Sequence, residues 1–525
     1  MKSTLHLQTP EGDCEVGLTA TDFGRPLSEV LAHRGYPLNT RCGGRGLCGG
    51  CEVGLKLGSL RQTANSTEVT AGDRLRSCQL KLVEGSDVTV SIPSRSLLKH
   101  EPSVVSEFKI NVPWAVAPID ATARYGAAVD IGTTTVAVIL ADLETGKVLA
   151  QSSDFNAQIR FGEDVLTRIQ MCFQNPSAVK QLQNAVTVET IQPLLVEACE
   201  QAGLEPKDIG VMTVAANTTM QHLLAGVDPS SLGVHPFKPV FLEHRVYAPS
   251  ELGLTFGGEE TKVHLLPGPA AYVGADLAAG LVATGMLYDE GPVLIVDVGT
   301  NGEIIAKIGD LLVGCATAAG PAFEGAGLTN GSRGVRGAIE RITITSDPFE
   351  IKLGVIGDAP KPVGICGSAY IDFLWEGRRS GILQENGRFS KEFIERSDTR
   401  VEIEEFGKKL ELHARGTSGP VWISEVDIAK LLQAKAAIGA GINTLLGLLG
   451  VTAGEVKTLY LAGGFGMHLS LDQVVGNTSM GGAFLALNDR SFLKEMQTAC
   501  ASMESIELNL QPGFEDAYID QLMLP

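Results

Sequence analysis

The sequence predicts a multidomain α/β protein, and three observations support this fold class. The chain has 525 residues, which is too long for one hydrophobic core and indicates about two to four domains. Four cysteines lie close together near the N-terminus, where short apolar runs are typical of strands. From Gly126 onward, glycine- and alanine-rich strand and helix patterns alternate, as they do in α/β domains. We therefore expect a small domain at residues 1–94, a linker at 95–125, and two α/β halves at 126–290 and 291–525.

The N-terminal region begins with a strand, a turn and a second strand. Residues 3–8 and 13–18 have the strand pattern, and a turn rich in Pro, Gly and Asp separates them. Residues 26–33 carry apolar side chains at helical spacing. A glycine-rich loop with three cysteines follows at residues 41–51.

The four cysteines Cys42, Cys48, Cys51 and Cys78 are spaced C-x5-C-x2-C-x26-C. A [2Fe–2S] cluster needs four thiolates, together with backbone N–H groups turned toward its sulfurs. Glycines between the first three cysteines let the loop wrap closely, because glycine adopts positive φ without steric cost. The alternatives are four unrelated thiols or a zinc knuckle, which favours two short-spaced pairs. The single, distant fourth cysteine favours the [2Fe–2S] cluster.

This order of strand, hairpin, helix and cysteine loop resembles the β-grasp [2Fe–2S] ferredoxin domain over residues 1–94. The plant-type pattern has one residue fewer in its first gap. The resemblance implies that the four cysteines hold the cluster and that the domain carries one electron.

The stretch at residues 95–125 changes character. It contains three prolines and a basic patch at Arg95, Lys99 and His100. We interpret it as a linker that is partly ordered, for instance by pairing with a second subunit.

An internal repeat marks the larger region. Residues 127–138 and 294–305 each contain an apolar strand, the motif Asp-x-Gly-Thr and a second apolar strand. At such a turn, glycine admits phosphate oxygens close to the backbone, and threonine hydroxyls and N–H groups donate to them. An aspartate at the strand end can hold Mg²⁺ directly or through water. One copy alone is compatible with a plain hairpin, but two copies at domain-scale separation favour phosphate binding.

A third motif lies near the C-terminus. The apolar residues 459–462 run into Gly463, Gly464 and Phe465, and a helix pattern follows at 472–488. Bare glycines there let adenine and ribose lie against the backbone. The alternative is a tight strand-to-helix turn.

Together the three motifs resemble the phosphate-1, phosphate-2 and adenosine motifs of the acetate/sugar kinase–Hsp70–actin superfamily over residues 126–525. The resemblance implies two ribonuclease-H-like halves that close over ATP, with Asp130 and Asp297 organising Mg²⁺. It places Gly132, Thr133, Thr134, Thr135, Gly299, Thr300, Asn301 and Gly302 at the phosphates, and Gly463, Gly464 and Phe465 at adenosine.

Two glutamates near the second phosphate motif, Glu303 and Glu324, are candidates to position the attacking water. Capping or salt-bridging is the alternative role for both. Gly320, Gly367 and Ser368 lie in glycine-lined turns that we expect to border the cleft. We interpret His222, His235 and His468 as structural.

Composition excludes several classes of function. The net charge of −19 argues against nucleic acid and anionic membrane surfaces as partners. We expect no transmembrane helix and no signal peptide, and hence a cytoplasmic protein. The other six cysteines show no disulfide spacing and are expected to be free thiols: Cys14, Cys172, Cys199, Cys315, Cys366 and Cys500.

The whole domain order resembles the reductive activators of corrinoid proteins. The resemblance implies that one electron passes from the [2Fe–2S] cluster to a cob(II)alamin-type cofactor in an anaerobic methyltransferase system, with ATP making the step to cob(I) feasible. Plant-type clusters lie near about −400 mV, and each ~59 mV uphill costs tenfold in equilibrium constant. The implied partners are a corrinoid protein and an upstream low-potential donor, and a homodimer is compatible with the linker.

Two alternatives remain open at the level of sequence, and a third is disfavoured. An activator of a radical dehydratase would use a cysteine near the second phosphate motif, and Cys315 and Cys366 are the candidates. A redox-gated nucleotide sensor would bind nucleotide without driving electron transfer. A small-molecule kinase would have no use for the cluster.

Overall fold

The structure is a computed structural model of the chain. It describes residues 4–9, 12–36, 38, 46, 51–85, 87–93, 96, 108, 110–162, 164–299, 301–325, 327–332, 334–346, 349–359, 361–396, 400–405, 407–416, 419–463 and 474–525.

The N-terminal region forms a mixed five-stranded sheet and a small three-stranded one. Its elements are β1 (Thr4–Thr9), β2 (Gly12–Gly17), α1 (Leu27–His33), β3 (Glu52–Leu57), β4 (Leu60–Gln62), β5 (Glu68–Val69), β6 (Gly72–Arg76), β7 (Leu80–Leu82) and β8 (Val88–Ser91). The sheet orders are β2-β1-β8-β3-β6 and β5-β4-β7, and only β1 and β8 pair in parallel. Leu27 and Leu31 of α1 belong to the same apolar core as Leu5 and Leu7 of β1. The two strands and the helix predicted at the start of the chain are confirmed within a residue or so.

The next region is built on a six-stranded sheet. Its elements are β9 (Tyr125–Ile131), β10 (Thr135–Asp142), β11 (Lys147–Phe155), α2 (Val165–Gln174), α3 (Ala178–Val186), α4 (Gln192–Ala202), β12 (Ile209–Ala216), α5 (Thr218–Leu224), β13 (Arg245–Tyr247), α6 (Pro249–Leu252), β14 (Lys262–Leu265) and α7 (Ala275–Thr284). The sheet order is β11-β10-β9-β12-β14-β13, with β9, β12 and β14 parallel.

The C-terminal region contains a second six-stranded sheet and two three-stranded sheets. Its elements are β15 (Val293–Val298), β16 (Gly302–Ile308), β17 (Leu311–Thr317), β18 (Ala338–Ser346), β19 (Phe349–Val355), β20 (Gly364–Ile365), α8 (Gly367–Arg379), α9 (Lys391–Ile394), β21 (Val401–Glu404), β22 (Gly407–Gly416), β23 (Gly419–Ser424), α10 (Glu425–Leu449), β24 (Thr458–Ala462), β25 (Val474–Gly476), α11 (Thr478–Asn488), α12 (Ser491–Ser502), β26 (Glu504–Ser505) and α13 (Phe514–Asp520). The large sheet has the order β25-β24-β15-β16-β17-β26.

The two large sheets repeat one topology. In each, an antiparallel three-stranded meander (β9-β10-β11 and β15-β16-β17) is followed by two strands parallel to its first strand (β12 and β14, β24 and β25). The duplicated sequence motif forms the first hairpin of each sheet, so the predicted internal repeat is confirmed. Ligands usually bind at the carboxyl ends of parallel strands in such sheets.

Helix α11 joins the two sheets. It follows β25 of the second sheet but packs on α7 and on strands β9 and β12 of the first. Thr213 of β12 donates its hydroxyl to the carbonyl of Ala483 at 2.8 Å. Through α11, the two sheets therefore share a core in the region between them.

The second part of the expected linker packs on this chain's own helices. Residues 108 and 110–119, here called the strap, run along α11 and α7. The N–H of Asn111 donates to Ala283, and the N–H of Ala117 to Asn488. The Trp114 ring stands edge-on to Phe484 at 5.8 Å. This part of the linker is ordered by pairing within the chain.

Helix α10 is long and apolar enough, by length and composition, to cross a membrane. The sequence predicted no such helix. Half of its most apolar window is buried inside the molecule, where α10 packs on β16, β17 and α13. Helix α10 is therefore a core helix that packs against the second sheet.

Candidate functional site

Four carboxylates lie near one another where the two large sheets meet, and the place between them is here called the cleft. Asp130 and Asp297 occupy the same position in their hairpins, one residue before the end of β9 and of β15. Glu303 stands opposite Asp297 on β16. Asp276 lies in the first turn of α7. All four are partly accessible to solvent, although protein atoms surround them.

The crowding of these carboxylates changes their titration. Burial, and then the charges of Asp297 and Asp130, raise the pKa of Asp276 to about 7. Burial and the charge of Asp130 raise the pKa of Asp297 to about 7. Burial, with Asp297 and Asp276 nearby, raises the pKa of Glu303 above its usual range. A cation in the cleft would relieve this repulsion.

Within the described part of the chain, no three His, Cys, Asp or Glu side chains stand close enough together to hold a metal by themselves. Mg²⁺ commonly keeps several waters and binds one or two carboxylates plus phosphate oxygens. The described carboxylates are near enough to repel one another, but no three of them are placed to hold one ion together, so they fit a Mg²⁺–phosphate complex better than an all-protein metal cage.

Asp130 is held by the start of α11. The Nδ2 of Asn477 donates to its Oδ2 at 2.8 Å, and the Oγ of Ser479 donates to its Oδ1 at 2.6 Å. Asn477 also caps the helix, because its Oδ1 accepts from the N–H of Met480. Neither partner of Asp130 was predicted from the sequence, although Asn before an apolar helix is a recognisable capping signal.

The first hairpin is tied to the start of a neighbouring helix. The Oγ1 of Thr133 accepts from the Nδ2 of Asn217, the residue that caps α5. Gly274, before α7, lies so close that a Cβ there would stand 2.5 Å from the Cα of Asn217. Thr133, Thr134 and Thr135 are all partly exposed, as residues that bind a ligand should be.

The residues predicted for the second hairpin do not all have the same role. The N–H of Gly299 donates to the carbonyl of Asn301, and the Asn301 side chain hydrogen-bonds Glu303. A Cβ at Gly302 would lie 2.8 Å from Ile438 of α10, so this glycine is required by helix packing. Thr300 lies outside the described residues.

Glu324 and Gly320 follow β17. The Oε1 of Glu324 lies 4.0 Å from the position of a Cβ on Gly299, which places this carboxylate beside the second hairpin. Gly320 has φ +74° and open space where a side chain would be. A left-handed residue with free space beside it suits a loop that borders a cleft.

Gly463 brings the end of β24 against the second hairpin. It has φ +90°, and a Cβ there would lie 2.6 Å from Oδ1 of Asp297. The predicted adenosine residues Gly464 and Phe465 lie outside the described residues, as does His468.

Gly367 and Ser368 form the start of α8. Ser368 is 4% exposed, and its hydroxyl donates to the carbonyl of Glu340 on β18 at 2.9 Å. This bond joins α8 to the neighbouring strand. A nucleotide contact for these two residues stays a prediction.

His222 has a structural role, as predicted. Its ring is fully buried and stacks on Phe241 at 4.5 Å. One ring nitrogen pairs with the Thr218 carbonyl, and the other accepts from the N–H of Val240. His235 is exposed and lies edge-on to Phe237.

Two of the four predicted cluster ligands are described, and they touch. Cys51 and Cys78 are 1% and 4% exposed, and their thiols hydrogen-bond each other. That bond lowers the pKa of Cys51 to about 6 and raises the pKa of Cys78. Ser77 donates its hydroxyl to the Cys51 carbonyl at 2.8 Å. Cys42 and Cys48 lie outside the described residues.

Gly46, between those two cysteines, is fixed beside Cys78. The Arg76 guanidinium donates to the Gly46 carbonyl. Gly46 has φ +72°, and a Cβ there would lie 2.7 Å from the Gln79 side chain. Gly46 is thus held between Arg76 and Gln79, which flank Cys78 in the chain.

The remaining six cysteines form no disulfide bonds within the described residues. Burial raises the pKa of Cys315 and of Cys366 to about 12, so both stay protonated at neutral pH.

Comparison with known proteins identifies related sequences along the whole chain. The corrinoid activation enzyme RamQ of Eubacterium limosum is 28% identical over 576 aligned positions, covering 95% of each chain. The reductase of the Co(II) methylated amine-specific corrinoid protein of Methanosarcina barkeri is 25% identical and covers 66% of this chain and 64% of its own. A solved structure of a reductive activator for a corrinoid, iron–sulfur protein matches 99% of this chain and 98% of its own, with a TM-score of 0.69 and 28% identity.

Two family models match the part of the chain that carries the nucleotide motifs. The RACo middle region matches residues 125–289. The C-terminal domain of RACo, described as the ASKHA domain, matches residues 291–475 and 472–525. ASKHA denotes the acetate and sugar kinase, Hsp70 and actin superfamily, so the multidomain α/β fold expected for residues 126–525 is confirmed. With both models matching in order over three quarters of its length, the chain belongs to the RACo family.

Proposed function

We propose that this protein is an ATP-dependent reductive activator of a corrinoid protein, an ATP-hydrolysing electron-transfer enzyme. The observation that carries the proposal is the match to a reductive activator over 99% of the chain. The two curated relatives are likewise a corrinoid activation enzyme and a corrinoid protein reductase.

Residues 1–94 act in this proposal as a ferredoxin-like electron carrier. The thiolates of Cys42, Cys48, Cys51 and Cys78 would hold a [2Fe–2S] cluster. Two observations support it: the thiols of Cys51 and Cys78 touch, and the loop between the other two cysteines is pinned at Gly46. When bound, the cluster supplies a one-electron donor of low potential. The chain's part is to bury two of the ligands and to exclude water from them.

The halves 126–290 and 291–525 bind Mg-ATP in this proposal. Asp130, Asp297 and Asp276 face the cation, and the two hairpins hold the phosphates. Glu303 stands opposite Asp297 on β16, where it would accept a proton from the attacking water. Glu324 orients that water from the opposite loop.

ATP is needed because the transfer to cob(II)alamin is uphill. Binding energy shifts an equilibrium only if the nucleotide contacts two conformations differently. Asp130 meets that requirement, since a cation bound to its carboxylate is coupled to the start of α11 through the hydrogen bonds from Asn477 and Ser479. The start of α11 would then respond to nucleotide.

The partners in this proposal are a corrinoid protein and an upstream low-potential donor, in an anaerobic cytoplasm. A homodimer is compatible with it. The net charge of −19 is unsuited to nucleic acid or an anionic membrane as the partner surface.

The dehydratase-activator alternative is disfavoured by Cys315. It is 0% exposed in β17, and its thiol is buried and protonated. A ligand to a cluster shared between two subunits would have to reach the surface.

The decisive experiment is an anaerobic absorbance assay. Chemically reduced protein is mixed with a cob(II)alamin-containing corrinoid protein, with and without Mg-ATP. The cob(I) spectrum should appear only with ATP. Nucleotide binding and an intact cluster without reduction of any corrinoid partner would instead support the redox-gated sensor.

A further inference from the structure

Two side chains outside the nucleotide motifs hydrogen-bond backbone carbonyls of the first hairpin. The Nδ2 of Asn156 donates to the carbonyl of Gly132 at 3.0 Å. The guanidinium of Arg168 donates to the carbonyl of Thr133 at 2.5 Å. The carbonyls of Gly132 and Thr133, at the tip of the hairpin, therefore both point toward Asn156 and Arg168 in the interior of the first half.

This arrangement fixes the direction of the next N–H groups. In a planar trans peptide, the C=O of one residue and the N–H of the next point in opposite directions. The N–H groups of Thr133 and Thr134 are therefore turned away from Asn156 and Arg168. Successive N–H groups that point the same way form a concavity that binds anions.

Arg168 is a buried charged residue whose guanidinium is hydrogen-bonded on three sides. It is 0% exposed on α2, and burying a guanidinium is expensive unless its donors are used. Its Nε donates to the Gly162 carbonyl and its Nη1 to Oε1 of Gln158, each at 2.9 Å. Gln158 is itself buried and donates to the Leu182 carbonyl at 2.8 Å. The planar guanidinium of Arg168, together with Gln158, thus links helices α2 and α3 to the tip of the hairpin.

We propose that Arg168 and Asn156 are positioning residues that set the affinity of the first hairpin for the phosphates of ATP. The inference rests on the proposed nucleotide site and adds to it two residues that touch no ligand. They act through the backbone of Gly132 and Thr133, by keeping the N–H groups aimed at the phosphate position before ATP arrives.

A purely structural role makes a different prediction. An arginine that only stabilises the core would lower thermal stability when replaced, and any loss of affinity would be the same for every nucleotide. A positioning role weakens only ligands whose phosphates reach the hairpin. Comparing ATP with AMP separates the two roles.

The test uses the full-length protein with Arg168→Lys. Lysine keeps the charge but lacks the planar fork, so it cannot bind Gly162, Gln158 and Thr133 together. By calorimetric titration, ATP affinity should fall about tenfold or more, as expected for losing a charge-assisted hydrogen bond. AMP affinity should be unchanged. Ile169→Ala, a buried neighbour on the same helix, is the matched control and should lower stability while preserving the ratio of ATP to AMP affinity.

Asn156→Ala provides a second test, which decides the matter if Arg168→Lys does not fold. It should also weaken ATP selectively. Equal losses for ATP and AMP, or no loss for either, would overturn the inference. Wild-type protein that binds no ATP would overturn the proposed function and the inference with it, so the two failures are distinguishable.

Discussion

Ser479 donates its hydroxyl to Oδ1 of Asp130 at 2.6 Å. Asp130 lies one residue before the end of β9 in the first sheet, whereas Ser479 lies in the first turn of α11, which follows β25 of the second sheet. This hydrogen bond therefore connects the two halves at the base of the cleft, at the carboxylate that we propose for Mg²⁺.

Ser479→Ala should weaken Mg²⁺-dependent ATP turnover. Burial raises the pKa of Asp130, and the bonds from Ser479 and Asn477 oppose that rise. Without Ser479 the pKa should rise further, so the defect should be larger at pH 6.5 than at pH 8. The lost bond to a charged group is worth roughly 1.5–3 kcal/mol. Steady-state ATPase assays across Mg²⁺ concentration measure it.

Ser491→Ala is the control for this prediction. Ser491 also begins a helix and also donates to an aspartate, Asp489, but that carboxylate is away from the cleft. A pH-independent defect in Ser479→Ala, or an equal one in Ser491→Ala, would contradict the role given to Asp130.

The cleft carboxylates should make the nucleotide-free protein less stable as pH rises. The folded pKa of Asp276 and of Asp297 is about 7, whereas an unfolded aspartate titrates near ~3.9. The folded state then binds more protons than the unfolded state between these values. Stability is fully present below about pH 4 and is lost as pH rises toward about 7. The thermal midpoint should fall over this range by the part these groups contribute.

Asp276→Asn isolates that contribution. Relative to wild type, it should raise the midpoint at pH 8, where the wild-type carboxylates repel, and much less at pH 5. Saturating Mg-ATP should shrink the difference at pH 8. A variant that is equally displaced at both pH values would show that Asp276 does not take part in the repulsion.

Gly463→Ala should displace Asp297 and so impair ATP turnover. The residue has φ +90°, and a Cβ would lie 2.6 Å from Oδ1 of Asp297. The left-handed conformation alone costs roughly 1–3 kcal/mol for a residue other than glycine. We expect ATP turnover to drop strongly because Asp297 must move. Gly454→Ala is a suitable control, since Gly454 has no atom within 4 Å of a Cβ; turnover equal in the two variants would refute the proposed contact.

The strap should contribute to both stability and nucleotide binding. Trp114 stands edge-on to Phe484 of α11, and Phe108 lies 5.5 Å from the same ring. Trp114→Ala should lower the free energy of unfolding by roughly 1–4 kcal/mol. It should also raise the KM for ATP, because α11 begins with the residues that hold Asp130. Trp375→Ala, a tryptophan that is 63% exposed, should change neither.

Local patterns carried most of the correct sequence predictions. The hairpins that contain Asp130 and Asp297 were predictable because strand, turn and strand are adjacent in the chain, and their repetition signalled two similar sheets. Asp276 and Ser479 were missed because their function depends on where helices α7 and α11 start relative to strands far away in sequence. Ser368 shows what a local pattern leaves out: the glycine-lined turn suggested a ligand but did not reveal that its hydroxyl bonds the Glu340 carbonyl, and the nucleotide contact stays a prediction.

The cysteine assignment is testable by a single atom change. Cys78→Ser should abolish the absorbance of a [2Fe–2S] cluster and the reduction of the corrinoid partner, because a serine hydroxyl is a poor substitute for a thiolate ligand. ATP affinity should be retained, since Cys78 belongs to the N-terminal core and the carboxylate cleft to another region. Cys14→Ser is the matched control in the same region, because the Cys14 thiol on β2 hydrogen-bonds the hydroxyl of Tyr36. A cluster that survives Cys78→Ser, or is lost equally in Cys14→Ser, would reject the proposed ligand set.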